Sequence, residues 1–285
     1  MFSYRHGFHA GNHADVLKHA ILVHILDHFN HKETPYWVID THAGAGIYDL
    51  SDEWSQKNAE FADGVGRLEG RDDAPELVAR YREAIAQFNP ADKLLRYPGS
   101  PWLALHAMRE QDRLRMFEMH PSEIEVLERN LTGLGRGRTR QVGIVQADGF
   151  EGIKALLPPP SRRGLVLIDP SYEDKQDYRR SLTAIQEGLK RFATGSFALW
   201  YPLVQRREVQ TMVRSLERLD VVWVHATLQV CRPASDGYGL HGSGMFVVNP
   251  PWTLYGSLTG ALPWLTQALG KDNRATHTLT RSARK

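Results

Sequence analysis

Acidic residues follow several short apolar runs of this 285-residue sequence. Glu118 ends one run, Asp148 and Gly149 follow a second, and Asp169 ends a third. Because the carboxyl ends of parallel strands border one ligand crevice, we expect these carboxylates to converge on one site. There Glu118 is placed to accept hydrogen bonds from ribose hydroxyls, and Asp148 to bind an adenine amino group. Each acid taken alone also fits a helix N-cap, which remains the alternative.

The run Asp169-Pro170-Ser171-Tyr172 combines two hydrogen-bond acceptors with an aromatic ring. An adenine N6 is a poor nucleophile because its lone pair is delocalised into the ring. The Asp169 carboxylate and the Pro170 carbonyl can both accept from that amino group and aim its lone pair. Tyr172 would stack on a base taken out of its helix. Beyond orienting the amino group, the site has only to position the two reactants for an in-line displacement, which needs no metal. Catalysis is therefore assigned to Asp169, Pro170 and Tyr172.

A second run, Asn249-Pro-Pro-Trp252, fits the general Asp/Asn/Ser-Pro-Pro-aromatic pattern better than the first. The twelve residues 231–242 before its strand are rich in Gly and Pro and show no helical period. They predict a hairpin loop, so strand 243–248 should run antiparallel to its neighbours. Asn249 would then lie at the edge away from the crevice, which leaves catalysis with Asp169.

A glycine-containing run, Asp40-Thr-His42-Ala-Gly44-Ala-Gly46, follows the apolar residues 36–39. Gly44 and Gly46 allow a tight turn and a close approach of the backbone to a ligand, although a purely structural turn is the alternative. The third glycine of the dinucleotide fingerprint is replaced by Asp49. This replacement argues against a pyrophosphate cofactor and favours a ligand without phosphates.

Eight of the thirteen histidines lie within the first 42 residues. His6, His9 and His13 have spacings that zinc ligands can adopt, but no cysteine and no His-Glu-x-x-His pattern accompanies them. We therefore expect no metal site. The histidines and Tyr4 are instead expected to lie over a bound cofactor and nucleotide, with a plain surface segment as the alternative.

Strand-like runs alternate with helical stretches, which predicts an α/β fold with a largely parallel sheet. Asp15 is expected to cap an amphipathic helix, and Ser100-Pro101 to start another with a capping hydroxyl. A dinucleotide-type fold expects an acid about 20 residues after its glycine-rich turn, yet the first suitable one is Glu118. The excess between Tyr48 and Tyr97 is interpreted as a helical insert. The predicted strands are 36–40, 114–118, 143–146, 164–168, 196–201, 221–230 and 243–248.

The composition is that of an ordinary globular protein, with 42% hydrophobic and 24% charged residues and a net charge of +2. This excludes a disordered chain, a collagen-like repeat and a disulfide scaffold. The single Cys231 favours a reducing compartment, and no apolar stretch reads as a signal or membrane span, so a cytoplasmic protein is expected. Basic pairs such as Arg179-Arg180 and Arg206-Arg207 suit phosphate contacts, or else solvated helix faces.

These motifs, with the run from Tyr4 to His19 and Tyr97-Pro-Gly-Ser-Pro101, closely resemble the RlmJ family over residues 1 to about 264. That family comprises large-subunit ribosomal RNA adenine N6-methyltransferases that use S-adenosylmethionine. The resemblance implies a Rossmann-like methyltransferase fold with a mostly parallel seven-stranded sheet whose last strand is antiparallel. The methyltransferase domain would span 1–48 and 97–269, with residues 1–20 as a mobile segment over the cofactor. Residues 49–96 would form an inserted helical subdomain, and 270–285 a basic, disordered tail.

The same resemblance implies the residues of the site. Tyr4 and Tyr172 would contact the substrate, one adenine of protein-free or partly assembled 23S rRNA. Apart from the resemblance, no heptad pattern or large apolar edge indicates an oligomer, so a monomer is expected. The family motif reads Asp-Pro-Pro-Tyr, whereas Ser171 stands at its third position here, so this loop is expected to be less rigid. The cofactor contacts would be Lys18, His19, His42, Gly44, Ser100, Glu118, Asp148, Gly149 and Asp169.

Three other functions remain as alternatives. The chemistry also fits an adenine N6-methyltransferase acting on DNA, although an insert of about 50 residues is small for a DNA-recognition domain. A metal-dependent hydrolase built on the N-terminal histidines is a second alternative. A non-catalytic RNA-binding protein is the third.

Overall fold

The computed structural model describes residues 6–90, 93–132, 134, 136–235 and 239–283 of the chain, in which helices and strands alternate. The helices are α1 His13–Asn30, α2 Glu53–Asn58, α3 Glu76–Ala86, α4 Ser100–Ala107, α5 Pro121–Leu131, α6 Arg136–Thr139, α7 Gly149–Leu156, α8 Gln176–Arg191, α9 Arg207–Glu217 and α10 Leu254–Leu269. Short 3₁₀ helices span His6–Phe8, Glu60–Asp63 and Val65–Leu68. The strands are β1 Trp37–Asp40, β2 Ile47–Asp49, β3 Arg96–Pro98, β4 Arg113–Phe117, β5 Val142–Val145, β6 Gly164–Ile168, β7 Ser196–Leu203, β8 Trp223–Gln229, β9 Gly242–Val248 and β10 Thr276–Arg281.

Eight of these strands form one sheet in the order β10-β8-β9-β7-β6-β1-β4-β5. Strands β5, β4, β1, β6 and β7 are parallel, whereas β9 runs antiparallel to both β7 and β8. The seven predicted strands are all present, and the prediction of a mostly parallel sheet with an antiparallel strand 243–248 is confirmed. The α/β Rossmann-like fold class therefore holds.

The C-terminal segment forms an eighth strand of the sheet. Thr276–Arg281 pairs antiparallel with β8, the Thr227 and Thr278 hydroxyls are 2.6 Å apart, and His277 hydrogen-bonds to Thr266. The expectation of a disordered tail over 270–285 is thus wrong for these six residues. Their mostly polar side chains suit an edge strand that is exposed on one face. A disordered tail has a similarly polar composition, so composition alone did not distinguish the two.

Helix α1 is buried on almost every side. Its N-cap is Asn12, whose side chain accepts from the backbone N–H groups of Ala14 and Asp15, so the helix begins before the predicted cap at Asp15. Residues 13–20 were expected within a mobile segment, but they form the first turns of this buried helix, with Val16 and Leu17 fully inaccessible. Because the helix is buried on almost every side, the prediction of an amphipathic helix is also wrong.

The interval between β2 and β3 is helical, as the spacing predicted. The two short strands pair antiparallel, with Ile47 opposite Pro98, and so close the base of the interval. Its buried side chains, among them Leu68, Val78 and Tyr81, belong to the same hydrophobic cluster as α1. The insert is therefore packed on the central domain through one continuous core.

Alternate residues of the parallel strands pack into two hydrophobic cores, one on each face of the sheet. Leu165 and Leu167 pack in the cluster of α1 and α10, whereas Val166 and Ile168 pack in the cluster of α7 to α9. Since the strands are buried on both faces, functional side chains can reach solvent only at the strand ends. None of the helices described is long and apolar enough to cross a membrane.

Candidate active site

A cavity of about 490 Å³ lies at the carboxyl ends of β1, β4, β5 and β6. Glu118, Asp148 and Asp169 all line it, so the three acids converge as the strand-end argument predicted. Its volume is within the range of small-molecule sites. Of the other residues proposed as cofactor contacts, those that also line this cavity are Lys18, His19, His42, Gly44 and Ser100.

The Glu118 carboxylate is held by two backbone N–H groups. Gly44 donates to its Oε2 at 2.8 Å and His120 to its Oε1 at 2.7 Å. Burial raises the pKa of Glu118, and these two hydrogen bonds oppose the rise. Gly44 has a φ of +60°, and a Cβ there would lie 2.5 Å from the Tyr48 hydroxyl oxygen, so the turn requires glycine.

Asp148 both caps a helix and faces the cavity. Its Oδ1 accepts from the Phe150 N–H at 2.9 Å at the start of α7, and its Oδ2 pairs with Arg180. The Arg180 guanidinium stacks 4.4 Å from the Phe150 ring centroid. Gly149 does not line the cavity; a Cβ there would meet the Thr41 carbonyl oxygen at 2.0 Å, so this glycine allows α7 to approach β1.

A buried ion-pair network surrounds Asp169. Lys18 Nζ lies 2.5 Å from Asp169 Oδ2 and 2.8 Å from Asp15 Oδ1, and only 5% of the lysine side chain is exposed. Burial alone would lower the pKa of Lys18, but the charges of Asp15 and Asp169 outweigh it and raise that pKa. His6 Nε2 and the Gly11 N–H also contact Asp15, each at 2.9 Å. Lys18 therefore fixes one oxygen of Asp169.

His19 presents a neutral imidazole at the cavity. Its Nδ1 lies 2.6 Å from the Tyr97 hydroxyl, and burial lowers the pKa of His19 well below its ordinary value. Its Nε2 is buried and has no hydrogen-bond partner among the residues described.

His42 is also neutral, since burial lowers its pKa to about 4. Its Nδ1 lies 2.7 Å from the Thr41 hydroxyl, and its ring meets Phe150 edge-on at 5.0 Å. The ring orientation is thus fixed by contacts on two sides before any ligand binds.

Ser100 does not cap α4 as expected, because the N-cap is Gly99. Its hydroxyl instead donates to Asp40 Oδ2 at 2.7 Å, and the His42 N–H donates to Oδ1 at 3.3 Å. Burial raises the pKa of Asp40 to about 6, although both hydrogen bonds oppose the rise. Asp40 is thus a buried carboxyl behind Ser100, which lines the cavity; the sequence motif contained Asp40 but did not single it out.

Asp40→Asn is expected to stabilise the protein at pH 7 by about 1–2 kcal/mol. A carboxyl whose pKa is higher when folded contributes most stability below its ordinary value of 3.8, and this is lost as pH rises through about 6. The amide oxygen can still accept from the His42 N–H, the amide NH2 can donate to the Ser100 hydroxyl oxygen, and the side chain carries no charge. Urea unfolding from pH 4 to pH 7 should show a flatter profile for Asp40→Asn, while exposed Asp72→Asn should keep the wild-type profile. A wild-type slope in Asp40→Asn would contradict the argument.

A second cavity, of about 290 Å³, adjoins the first. Tyr172, Tyr178 and Trp200 contribute aromatic lining, and Trp200 Nε1 has no hydrogen-bond partner in the described ranges. Asp169 and Lys18 line both cavities. The candidate catalytic carboxylate therefore lies on the wall between a polar cavity and an aromatic one.

Tyr172 is packed within that wall. Its ring centroid lies 4.5 Å from that of Tyr178, its hydroxyl donates to the Trp200 carbonyl at 2.8 Å, and only 3% of the residue is exposed. Burial raises the pKa of Tyr172 well above its ordinary value. Pro170 lines the first cavity and Ser171 is exposed beside it. Tyr4, the other predicted substrate contact, lies outside the described residues.

The N-terminal histidines engage carboxylates or the core. His9 Nδ1 lies 3.0 Å from both oxygens of Glu60, while His13 is buried and its pKa is lowered to about 4 by that burial. Over the described ranges, no three His, Cys, Asp or Glu side chains are grouped as metal ligands. Asn249, the second motif, lies after β9 at the amino end of β7 and donates to the Gly195 carbonyl, so its predicted position away from the crevice is confirmed.

Besides Asp40, three residues that line the two cavities were not identified from the sequence. Asp15 was interpreted as a cap, and Arg180 and Arg206 only as members of basic pairs. Arg180 lies 32 positions after Asp148, its partner in the site. Such residues come together only through the packing of helices that are distant in the chain, so a local motif could not have identified them.

Comparison with known proteins gives consistent matches over nearly the whole chain. A family model described as "Ribosomal RNA large subunit methyltransferase D, RlmJ" matches residues 33–280. The chain is 44% identical over 269 residues to "Ribosomal RNA large subunit methyltransferase J" of Escherichia coli (strain K12), with 94% of each chain covered. It is 44% identical over 280 residues to the protein of that name from Haemophilus influenzae, with 98% of each covered. A crystal structure of a Legionella pneumophila protein is similar with a TM-score of 0.87 and 33% identity, covering 97% of this chain and 99% of that one.

Proposed function

This chain belongs to the RlmJ family of ribosomal RNA large subunit methyltransferases, and from that premise we propose that it transfers a methyl group from S-adenosylmethionine to N6 of one adenine in 23S rRNA. The observation that carries the proposal is the position of Asp169. This carboxylate lies between a cavity suited to a nucleoside-like cofactor and a cavity suited to a flat base.

The first cavity fits S-adenosylmethionine by the chemistry of its lining. Glu118 would accept from the ribose hydroxyls and Asp148 from the adenine amino group, since each carboxylate oxygen has a lone pair beyond its present partner. His19 also lines this cavity. When bound, the cofactor supplies an electrophilic methyl group on a sulfonium.

The second cavity fits the target base. Aromatic side chains such as Tyr178 and Trp200 favour a flat heterocycle. Asp169 and the Pro170 carbonyl would accept from the amino group and orient its lone pair. Lys18, by fixing Asp169 Oδ2, leaves the other carboxylate oxygen for this contact. Only 3% of Tyr172 is exposed, so its ring must move from its present packing before it can stack on the base.

We further propose that the protein acts as a monomer in the cytoplasm, on 23S rRNA that is protein-free or at an early stage of assembly. The single Cys231 accords with a reducing compartment. No cysteine pairing is then required for folding.

The proposal is tested by incubating the protein with radiolabelled S-adenosylmethionine and protein-free 23S rRNA, followed by mapping of the modified base. Label on N6 of a single adenine is expected. Duplex and single-stranded DNA of adenine-rich sequence serve as parallel substrates. Label on DNA but not on RNA, or on another atom of the base, would contradict the proposal.

A further inference from the structure

Arg206 lies at the mouth of the second cavity, just after β7. It lines that cavity and is exposed, and its Nη1 donates to the backbone carbonyl of Tyr172 at 3.2 Å. One side chain thus contacts both the candidate base cavity and the backbone of the catalytic run.

The carbonyl that Arg206 holds belongs to a strained residue. Tyr172 has a φ of +55°, in the left-handed region that aromatic residues rarely adopt. Such a conformation persists only when surrounding contacts impose it. The hydroxyl bond to Trp200, the ring contact with Tyr178 and the Arg206 bond to the carbonyl are contacts of this kind.

The charge of Arg206 is not neutralised by a neighbouring carboxylate. Lys18 is paired with Asp15 and Asp169, and Arg180 is paired with Asp148. Within the described part of the chain, no carboxylate lies within ion-pair distance of Arg206. A guanidinium has five N–H donors; the Tyr172 carbonyl takes one and the neighbouring Tyr178 hydroxyl can take another, so others remain for a ligand.

We propose that Arg206 binds a phosphate of the RNA nucleotide whose base enters the second cavity, an inference that rests on the function proposed above. A base turned out of its helix leaves its flanking phosphates at the mouth of the pocket. Guanidinium recognises phosphate with two parallel charge-assisted hydrogen bonds. Because the Arg206 guanidinium also holds the Tyr172 carbonyl, binding of the phosphate would affect the backbone conformation of the run from Asp169 to Tyr172.

The first experiment compares equilibrium binding of adenosine and adenosine 5′-monophosphate to the protein loaded with S-adenosylhomocysteine. The wild type should prefer the monophosphate by about tenfold, as for one charge-assisted contact. Arg206→Met should lose this preference while its affinity for adenosine stays within about twofold. Arg214→Met, which removes an exposed arginine of α9 that lines neither cavity, should behave as the wild type.

The second experiment measures kcat/KM for 23S rRNA at several salt concentrations. Arg206→Met should make the plot of log kcat/KM against log salt shallower by about 0.7, as for one lost phosphate contact on a single strand. Arg206→Lys keeps the charge but lacks the paired N–H donors of the guanidinium, so it should restore part of the salt dependence that Arg206→Met loses.

Two results would overturn the inference. One is a wild-type protein that binds adenosine and its monophosphate equally; the other is an Arg206→Met loss that is equal for both ligands, which would leave Arg206 only shaping the turn. Because nucleotide binding is read without methylation, these results are distinct from a failure of the wild type to methylate any RNA, which would refute the proposed function.

Discussion

Asp169→Asn is expected to slow methyl transfer to 23S rRNA by about 10²–10³-fold, the range found when one preorganised electrostatic contact is removed from an active site. The amide is the same size, but it lacks the anionic acceptor for the adenine amino group. Lys18 keeps Asp15 as its partner, so the fold should persist. The loss should therefore appear in the chemical step.

Single-turnover rates at saturating S-adenosylmethionine and RNA measure that step directly, and equilibrium binding of both ligands should stay within a few-fold of the wild type. Asp174→Asn is the matched control, because Asp174 is an exposed acid that lines the same cavity. A rate for Asp169→Asn within tenfold of the wild type would refute the assignment of catalysis to Asp169.

Lys18→Met is expected to lower the free energy of unfolding by about 3–5 kcal/mol. The methionine keeps most of the buried volume but leaves Asp15 and Asp169 as two buried carboxylates without their shared cation. One of them must then take up a proton or remain uncompensated. Urea unfolding at pH 7 measures the loss.

Lys154→Met provides the comparison for a surface pair, since Lys154 and Glu151 are both largely exposed. Its effect should be within about 0.5 kcal/mol. The two lysine variants should also differ in how much stability they lose on acidification. The charges of His6 and Lys18 overcome burial and hold the pKa of Asp15 well below 3.8, so its contribution is present above that pH and is lost on further acidification. Lys18→Met should lose less stability in acid than the wild type, and an equal loss would show that Lys18 does not govern Asp15.

The central strands of the fold were predictable because each is a short apolar run buried on both faces. Gly164–Ile168 was predicted with its exact bounds for this reason. The strands Ile47–Asp49 and Arg96–Pro98 were not predicted, because three residues are too few to show the alternation of apolar and polar residues that marks a strand. The strand Thr276–Arg281 was not predicted because its side chains are mainly polar, and its place in the sheet depends on pairing with β8.

The acids of the site were predictable for a topological reason: a carboxylate that follows a parallel strand lies at the ligand edge. The contacts of those acids were not predictable. Lys18 and Asp169 are 151 positions apart, and Arg206 and Tyr172 are 34 apart. The packing of Tyr172 into the cavity wall also depends on neighbours from α8 and β7, which no local pattern encodes.

The pairing of β10 with β8 has a practical consequence for work with this protein. Without Thr276–Arg281, the backbone N–H and C=O groups of β8 that now bond to it would be open at the rim of the sheet. An open rim of this kind recruits strands from other molecules and promotes aggregation. Ser282 also bonds to Trp223 of β8, so an affinity tag should be joined through a flexible spacer after Ser282 and leave residues 276–282 intact.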